Sequence, residues 1–411
     1  MSSGLLSRLG PGMMLAASSV GVSHLVFSTQ AGARYGLSLI PVILLVVLFK
    51  YPAFRFAVQY ASATGGSLVD AYARISKVAL AWLLVGFFVD MFIATTAVAM
   101  MTAGLLVSVF DVPFSPPQVA VALTVVTALV LANGHYAKAE GIVKVLVIAF
   151  SILTIVATVL ALPLLGGGDR AVLADLTPDR AFAVFVIGLA GWMPIPTNAA
   201  VLVGEWVKEK VAATKGAFAG RDALFDFHLS YALALAIAVC FVIMGTAVLF
   251  QTGHEPPQQA GAFAADLFRL FTDVVGQWSY PVIAAAGLAV MWSTQVTLMD
   301  ALPRVMNRLA CTITNRGEDK RSLYPVFLIV QVVGVSLIAL FLLRSFAAFI
   351  VFATSMGFIA APAIAYYNYV AVTSDAVPLE QRPGKRLVLW NWVAILVMAA
   401  FALGFIYTLV S

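Results

Sequence analysis

Along its 411 residues the chain repeats one pattern, a long apolar run followed by a short polar interruption. Read by run length, the apolar segments number eleven: 11–31, 36–60, 78–108, 117–134, 141–166, 181–205, 229–251, 279–300, 323–343, 346–372 and 388–409. Nearly all reach the roughly 18–20 residues that carry a helix across a bilayer, and none shows the ten-residue alternation of a membrane β-barrel strand. The pattern predicts an all-α polytopic membrane protein, a single transmembrane domain over residues 1–411. Connections rich in Pro and Gly (DVPFSPPQ, LGGGDR, QTGHEPPQQ) separate the runs, as turns between spans require.

Two runs depart from the pattern. In GPGMMLAASSVGVSHLVFSTQAGARYG, residues 10–36, small and polar residues (Ser18, Ser19, Gly21, Ser23, His24) fall at mid-span. In GLAGWMPIPTNAAVLVGEW, residues 188–206, Pro194 and Pro196 remove two backbone donors and block the helix. These are the first and sixth spans. Five helices apart, they run in opposite directions, so spans 1–5 (11–166) and 6–10 (181–372) are expected to form inverted repeats, with an eleventh helix added at 388–409. Paired interrupted helices in matching positions point to the binding site of a secondary transporter. Irregular backbone at that depth requires cover from protein or from a watery cavity.

Composition agrees: 62% of residues are hydrophobic and 10% charged, with a mean hydropathy of +1.00. Seventeen of the 24 lysines and arginines fall in segments on one side of the membrane if the N-terminus is cytoplasmic. Arg34, Arg170, Arg180, Arg269 and Arg344 lie on the other side, and Lys50 and Arg55 within a span. The bias predicts N-in and C-out, in a plasma membrane of the bacterial inner type. The net charge of +5 therefore calls for no nucleic-acid partner. No short basic–apolar–small pattern of a cleavable signal precedes the first span. Cys240 and Cys311 suggest neither a disulfide framework nor a metal knuckle. The histidines (His24, His135, His228, His254) form no HExxH motif, and no phosphate-binding G-x-x-x-x-G-K-[ST] loop occurs. Neither an enzyme nor direct use of ATP is expected, and no cofactor.

The first broken span resembles the first-helix signature of the Nramp divalent-metal transporters, GPG followed by DPGN and then QAGAxYG. Arg55 and Ala63-Thr64-Gly65 continue the resemblance, and Met193-Pro194 matches the MP of the family's MPH motif. The resemblance implies a LeuT-type fold of five plus five inverted helices with an eleventh added. It also implies alternating access to one midplane site. The departures fall on the site itself. Counted back from Gln30, DPGN becomes Gly21-Val22-Ser23-His24. Gly21 thus replaces the metal-binding aspartate and His24 the asparagine ligand. Met193 keeps the sulfur ligand, while Ile195 replaces the histidine. Asp90 stands at one proton-handling position of the third span, where the next read Ala97 and Met100, and Thr354 falls at a ligand position of the tenth.

A dication in a dry pocket needs formal negative charge nearby, and neither broken segment holds an Asp or Glu. What remains is a largely neutral set: Ser23, His24, Met193, Thr197 and Asn198. Met with His would suit Cu(I) in softness, although a methionine on a membrane helix is more often core. His24 reads either as a site donor or as a packing hydrogen bonder. Lys50, in LLVVLFKYPAF, reads either as a functional charge or as a snorkelling one. Lost carboxylate and gained base together favour a small anion such as bicarbonate, coupled to Na⁺ or H⁺. The alternative is a divalent metal (Mn²⁺, Fe²⁺ or Mg²⁺), as in the family resembled. Asp90 and Asp300 are candidate coupling acids. Ser293, Thr294 and Gln295 form a polar patch that could meet Na⁺ or substrate, or simply join helices.

Overall fold

The computed structural model describes residues 10–133, 136–166, 171–177, 179–254, 257, 260–314, 323–343 and 345–410. Arg8, His135, Arg170, Arg316, Lys320, Arg321 and Arg344 lie outside them. The first span is α1 (Pro11–Ser19) and α2 (Thr29–Tyr35), joined through a π-helical turn at Ser23–Ser28 and bent by 43°. Next come α3 (Ile40–Thr64), α4 (Leu68–Ile75), α5 (Lys77–Phe110), α6 (Pro116–Ala132) and α7 (Tyr136–Ala161). The sixth span is α8 (Arg180–Trp192) and α9 (Ala199–Ala213). It is followed by α10 (Arg221–Gly245), α11 (Ala260–Val275), α12 (Tyr280–Ile313), α13 (Tyr324–Leu337), α14 (Phe346–Thr373) and α15 (Lys385–Val410).

Among the described residues eight helices are long and apolar enough to cross a membrane, and the bent pair α1–α2 makes a ninth. The 17-residue α6 and the broken pair α8–α9 complete the eleven expected spans. Side chains facing lipid are apolar all round the bundle, for example Leu45, Val85, Ile152, Ile329 and Leu396, each more than half exposed. Bilayer, not water, is the solvent these residues meet.

Two helices break the expected sequence of spans and turns. The short α4 and the amphipathic α11 are not spans; both lie in connections that the apolar runs left as loops. The seventh span also begins at Arg221 rather than 229. Arg221, Asp222, Asp226 and His228 look like a polar loop in sequence. Asp226, however, is 1% exposed and caps the start of α1, accepting from Gly10 N (3.1 Å) and Gly12 N (2.6 Å). Gly12 is needed for this approach, because a Cβ there would lie 2.4 Å from Asp226 O.

Candidate functional site

The two breaks face each other. In the first, the serines bond back to their own helix: Ser18 Oγ to Met14 O and Ser19 Oγ to Leu15 O, both at 2.7 Å. Such back-bonding competes with the helix ladder and bends it. In the second, Pro194 and Pro196 end α8, and the helix resumes at Ala199. Ser23 Oγ lies 2.8 Å from Ser19 O and 3.2 Å from Pro194 O, so one hydroxyl joins the two breaks.

A cavity of about 60 Å³ lies beside this junction, between α1, α5, α9 and α12. Its polar lining comes from Ser18 and Ser23, from Asp90 on α5, from Asn198 at the start of α9, and from Thr294 and Thr297 on α12. Asn198 Nδ2 donates to Asp90 Oδ2, while Asn198 Oδ1 is buried with no partner. One carboxylate, one unpaired amide oxygen and several hydroxyls therefore converge on a space fit for a partly hydrated ion. Thr294 also packs against Gly21, whose place would put a Cβ 3.2 Å from Thr294 Cγ2.

Lys50 does not snorkel. It is fully buried, and its Nζ donates to Gly191 O (2.7 Å) and Ile195 O (3.3 Å). The amine thus takes up two carbonyls released by the break in the sixth span. His24 is turned from the cavity. Its Nε2 pairs with Ala234 O of α10 at 2.8 Å and its Nδ1 with Ser23 Oγ at 2.9 Å, so both ring nitrogens are engaged.

The remaining candidates divide in the same way. Met193 is fully buried and outside the cavity lining, as is Thr197, whose Oγ1 has no partner. Thr354 packs over α8, with Gly191 so close that a Cβ would meet Thr354 O at 1.8 Å. Its own hydroxyl bonds back to Ile350 O at 2.9 Å. Ser293 bonds to Val290 O, and Gln295 Nε2 to Thr124 Oγ1 of α6, so only Thr294 of that patch reaches the cavity. Asp300 is not part of the cavity lining. It pairs with Arg304 (Nε–Oδ2 2.7 Å) and accepts from Tyr324 OH (2.9 Å). Thr297, and Ser18, which the sequence marked only as part of the polar interruption, also line the cavity. Their signal was weak, since isolated hydroxyls on membrane helices usually satisfy themselves on the preceding turn.

Outside this centre, a second cavity of about 470 Å³ opens between α2, α8 and α14. It is mostly apolar, with Gln30, Arg34 and Ser355 as its polar lining. Arg34 also lies over the Phe185 ring, 5.6 Å from its centroid. No group of three or more His, Cys, Asp or Glu side chains is placed to hold a metal among the described residues.

A family profile described as natural resistance-associated macrophage protein-like (Nramp) matches residues 12–408. An uncharacterised protein of Pasteurella multocida is 29% identical over 97% of this chain and 92% of its own length. A divalent metal cation transporter of Brucella suis is 25% identical over 61% of this chain and 56% of its own. Among solved structures, a manganese transporter of Eremococcus coleocola superposes with a TM-score of 0.71 at 14% identity, over 98% of this chain and 88% of that one. MhsT, solved in complex with L-phenylalanine, superposes with a TM-score of 0.64 at 16% identity, over 96% and 97% of the two chains. At such identities the structural likenesses carry the fold, the LeuT-type arrangement that the family resemblance implies.

Proposed function

The chain belongs to the Nramp family of membrane transporters, and from that premise we propose that it carries a small, hard inorganic cation by alternating access through the cavity between the two breaks. It is a transporter and not an enzyme. The observation that carries the reading is the pairing of Asp90 with Asn198 in the cavity wall, which leaves Asn198 Oδ1 free to meet a cation. A single carboxylate, an amide oxygen and hydroxyls form an all-oxygen donor set. That set suits Mg²⁺, or Mn²⁺ keeping much of its water, better than a soft ion. Relatives named as divalent metal cation transporters support the cationic substrate.

The site is displaced from the one the family resemblance implies. Gly21 offers no carboxylate, Met193 and His24 are turned away, and Lys50 Nζ holds the carbonyls of Gly191 and Ile195. A dication cannot share those carbonyls with an amine. The ion is thus expected on the Asp90 side of the sixth-span break, with Ser23, Asn198 and Thr294 around it. Asp90 then either binds the ion directly or exchanges a proton against it. The helix arrangement and the basic bias support one transmembrane domain with N-terminus in and C-terminus out.

A second reading, a small anion such as bicarbonate with Na⁺ or H⁺ coupling, is favoured by Arg34, the charged residue in the lining of the outer cavity. Its two central donors, His24 and Lys50, are however engaged by backbone carbonyls. Proteoliposome flux separates the readings. Uptake of Mg²⁺ or Mn²⁺ above empty vesicles, lost in Asp90→Asn, supports the cation. Labelled bicarbonate uptake with no dication flux would replace it by the anion.

A further inference from the structure

A third cavity, which shares no lining residue with the one between the two breaks, carries no part of this transport reading. It occupies about 920 Å³ where the last turns of α3, the start of α10 and the connection into α15 meet. Its charged lining is Arg55, Arg221 and Arg382 against Glu380, with His228 and Gln59 beside them. From this chemistry we infer that the cavity is a binding site for the phosphate headgroup of an anionic glycerophospholipid, seated where the connection into α15 meets α3 and α10.

Two buried polar atoms in the lining have no partner. Arg55 Nε is unpaired, although Nη1 of the same group donates to Tyr51 OH at 3.3 Å. Gln59 is 8% exposed; its Nε2 donates to Gln381 O and its Oε1 is left without a donor. Buried polar atoms are ordinarily satisfied. A phosphodiester oxygen answers the guanidinium, and a headgroup hydroxyl answers the amide oxygen. A guanidinium suits a phosphate because its planar fork matches two oxygens at once. The N-terminus of α10, a 25-residue helix capped at Gly220 without a side-chain bond, points the same way. It is supporting evidence beside the unpaired atoms, not the basis of the site.

Depth and surroundings select a lipid over a soluble phosphate. At 1.5 Å per residue, Arg55 and Gln59 lie about 22 and 28 Å from the start of α3, near the far edge of a hydrocarbon core of about 30 Å. Phe225 lines the cavity and is 41% exposed, and Leu229, one turn further along α10, is 43% exposed. An apolar stripe thus leaves the basic cavity along the lipid-facing side of α10. Trp390 of α15 packs next to Tyr51, with ring centroids 6.4 Å apart, and is 40% exposed. Basic pockets between membrane helices bind headgroups of this kind.

The test uses the full chain purified in neutral detergent and titrated separately with phosphatidylglycerol, phosphatidylcholine, inorganic phosphate and glycerol phosphate. The readouts are the thermal unfolding midpoint and the lipid retained by mass spectrometry. Phosphatidylglycerol is expected to raise the midpoint and to be retained, and the other three to do neither. The double variant Arg55→Gln, Arg221→Gln should weaken the phosphatidylglycerol response by about tenfold or more. Should that variant not fold, Arg221→Gln alone, at an exposed position, must still weaken it. Equal stabilisation by phosphatidylcholine, or by inorganic or glycerol phosphate, would overturn the lipid assignment. So would variants that titrate like the unmodified protein.

Discussion

At its break the first span satisfies itself: Val20 N still reaches Ala16 O at 3.1 Å, Leu25 N reaches Gly21 O at 3.0 Å, and Ser18, Ser19 and Ser23 bond to carbonyls four residues back. The sixth span cannot. Two prolines remove its donors, and two of the carbonyls released, Gly191 O and Ile195 O, are met from outside by Lys50 Nζ of α3. The difference separates a bend from a rupture. A bend made by small and hydroxylic residues remains local, whereas a proline rupture commits a donor elsewhere in the chain. In the sixth span that donor is the amine of Lys50, held between Gly191 O and Ile195 O.

The largest effect that tests this contrast is expected from Lys50→Met. It leaves two buried carbonyls without a donor, at about 1–3 kcal/mol each, so the thermal midpoint should fall by several degrees and uptake should be lost. An unchanged midpoint would show that the rupture satisfies itself and remove the distinction between the two breaks. Lys50→Arg should not restore full function, since a planar guanidinium does not fit a site built around a single nitrogen.

Asp90→Asn should leave stability nearly unchanged, because a carbonyl oxygen remains to accept from Asn198. Dication flux should nevertheless drop by about 100-fold, near the upper end of what one charge-assisted contact supplies. Flux equal to that of the unmodified protein would dismiss the carboxylate from the site. Gly12→Ala comes next. The added methyl must push α1 from Asp226 O, at a cost of about 1–3 kcal/mol, measurable in the unfolding midpoint while the breaks themselves stay intact.

The smallest effect is expected at His24. His24→Gln keeps a donor towards Ala234 O and should leave uptake within about threefold. A loss as deep as that of Asp90→Asn would return the imidazole to the transport path and favour the anion reading.

The LeuT-type fold was implied by the family resemblance, while run lengths and the two interruptions were enough to predict the eleven spans and the inverted pairing of spans 1–5 with 6–10. Hydrocarbon imposes those features on every residue separately, so they are written in local composition. The missing carboxylate at Gly21 was legible only through the family resemblance, as a residue absent from its short motif. What only tertiary structure decided is where each polar group finds its partner. Lys50 could snorkel or turn inward, His24 could face the cavity or α10, and Asp226 sat in what looked like a loop. In each case the outcome depends on carbonyls or amides more than 140 residues away. A buried polar group takes whatever partner the packed helices bring within about 3 Å, and that proximity exists only once the bundle has formed.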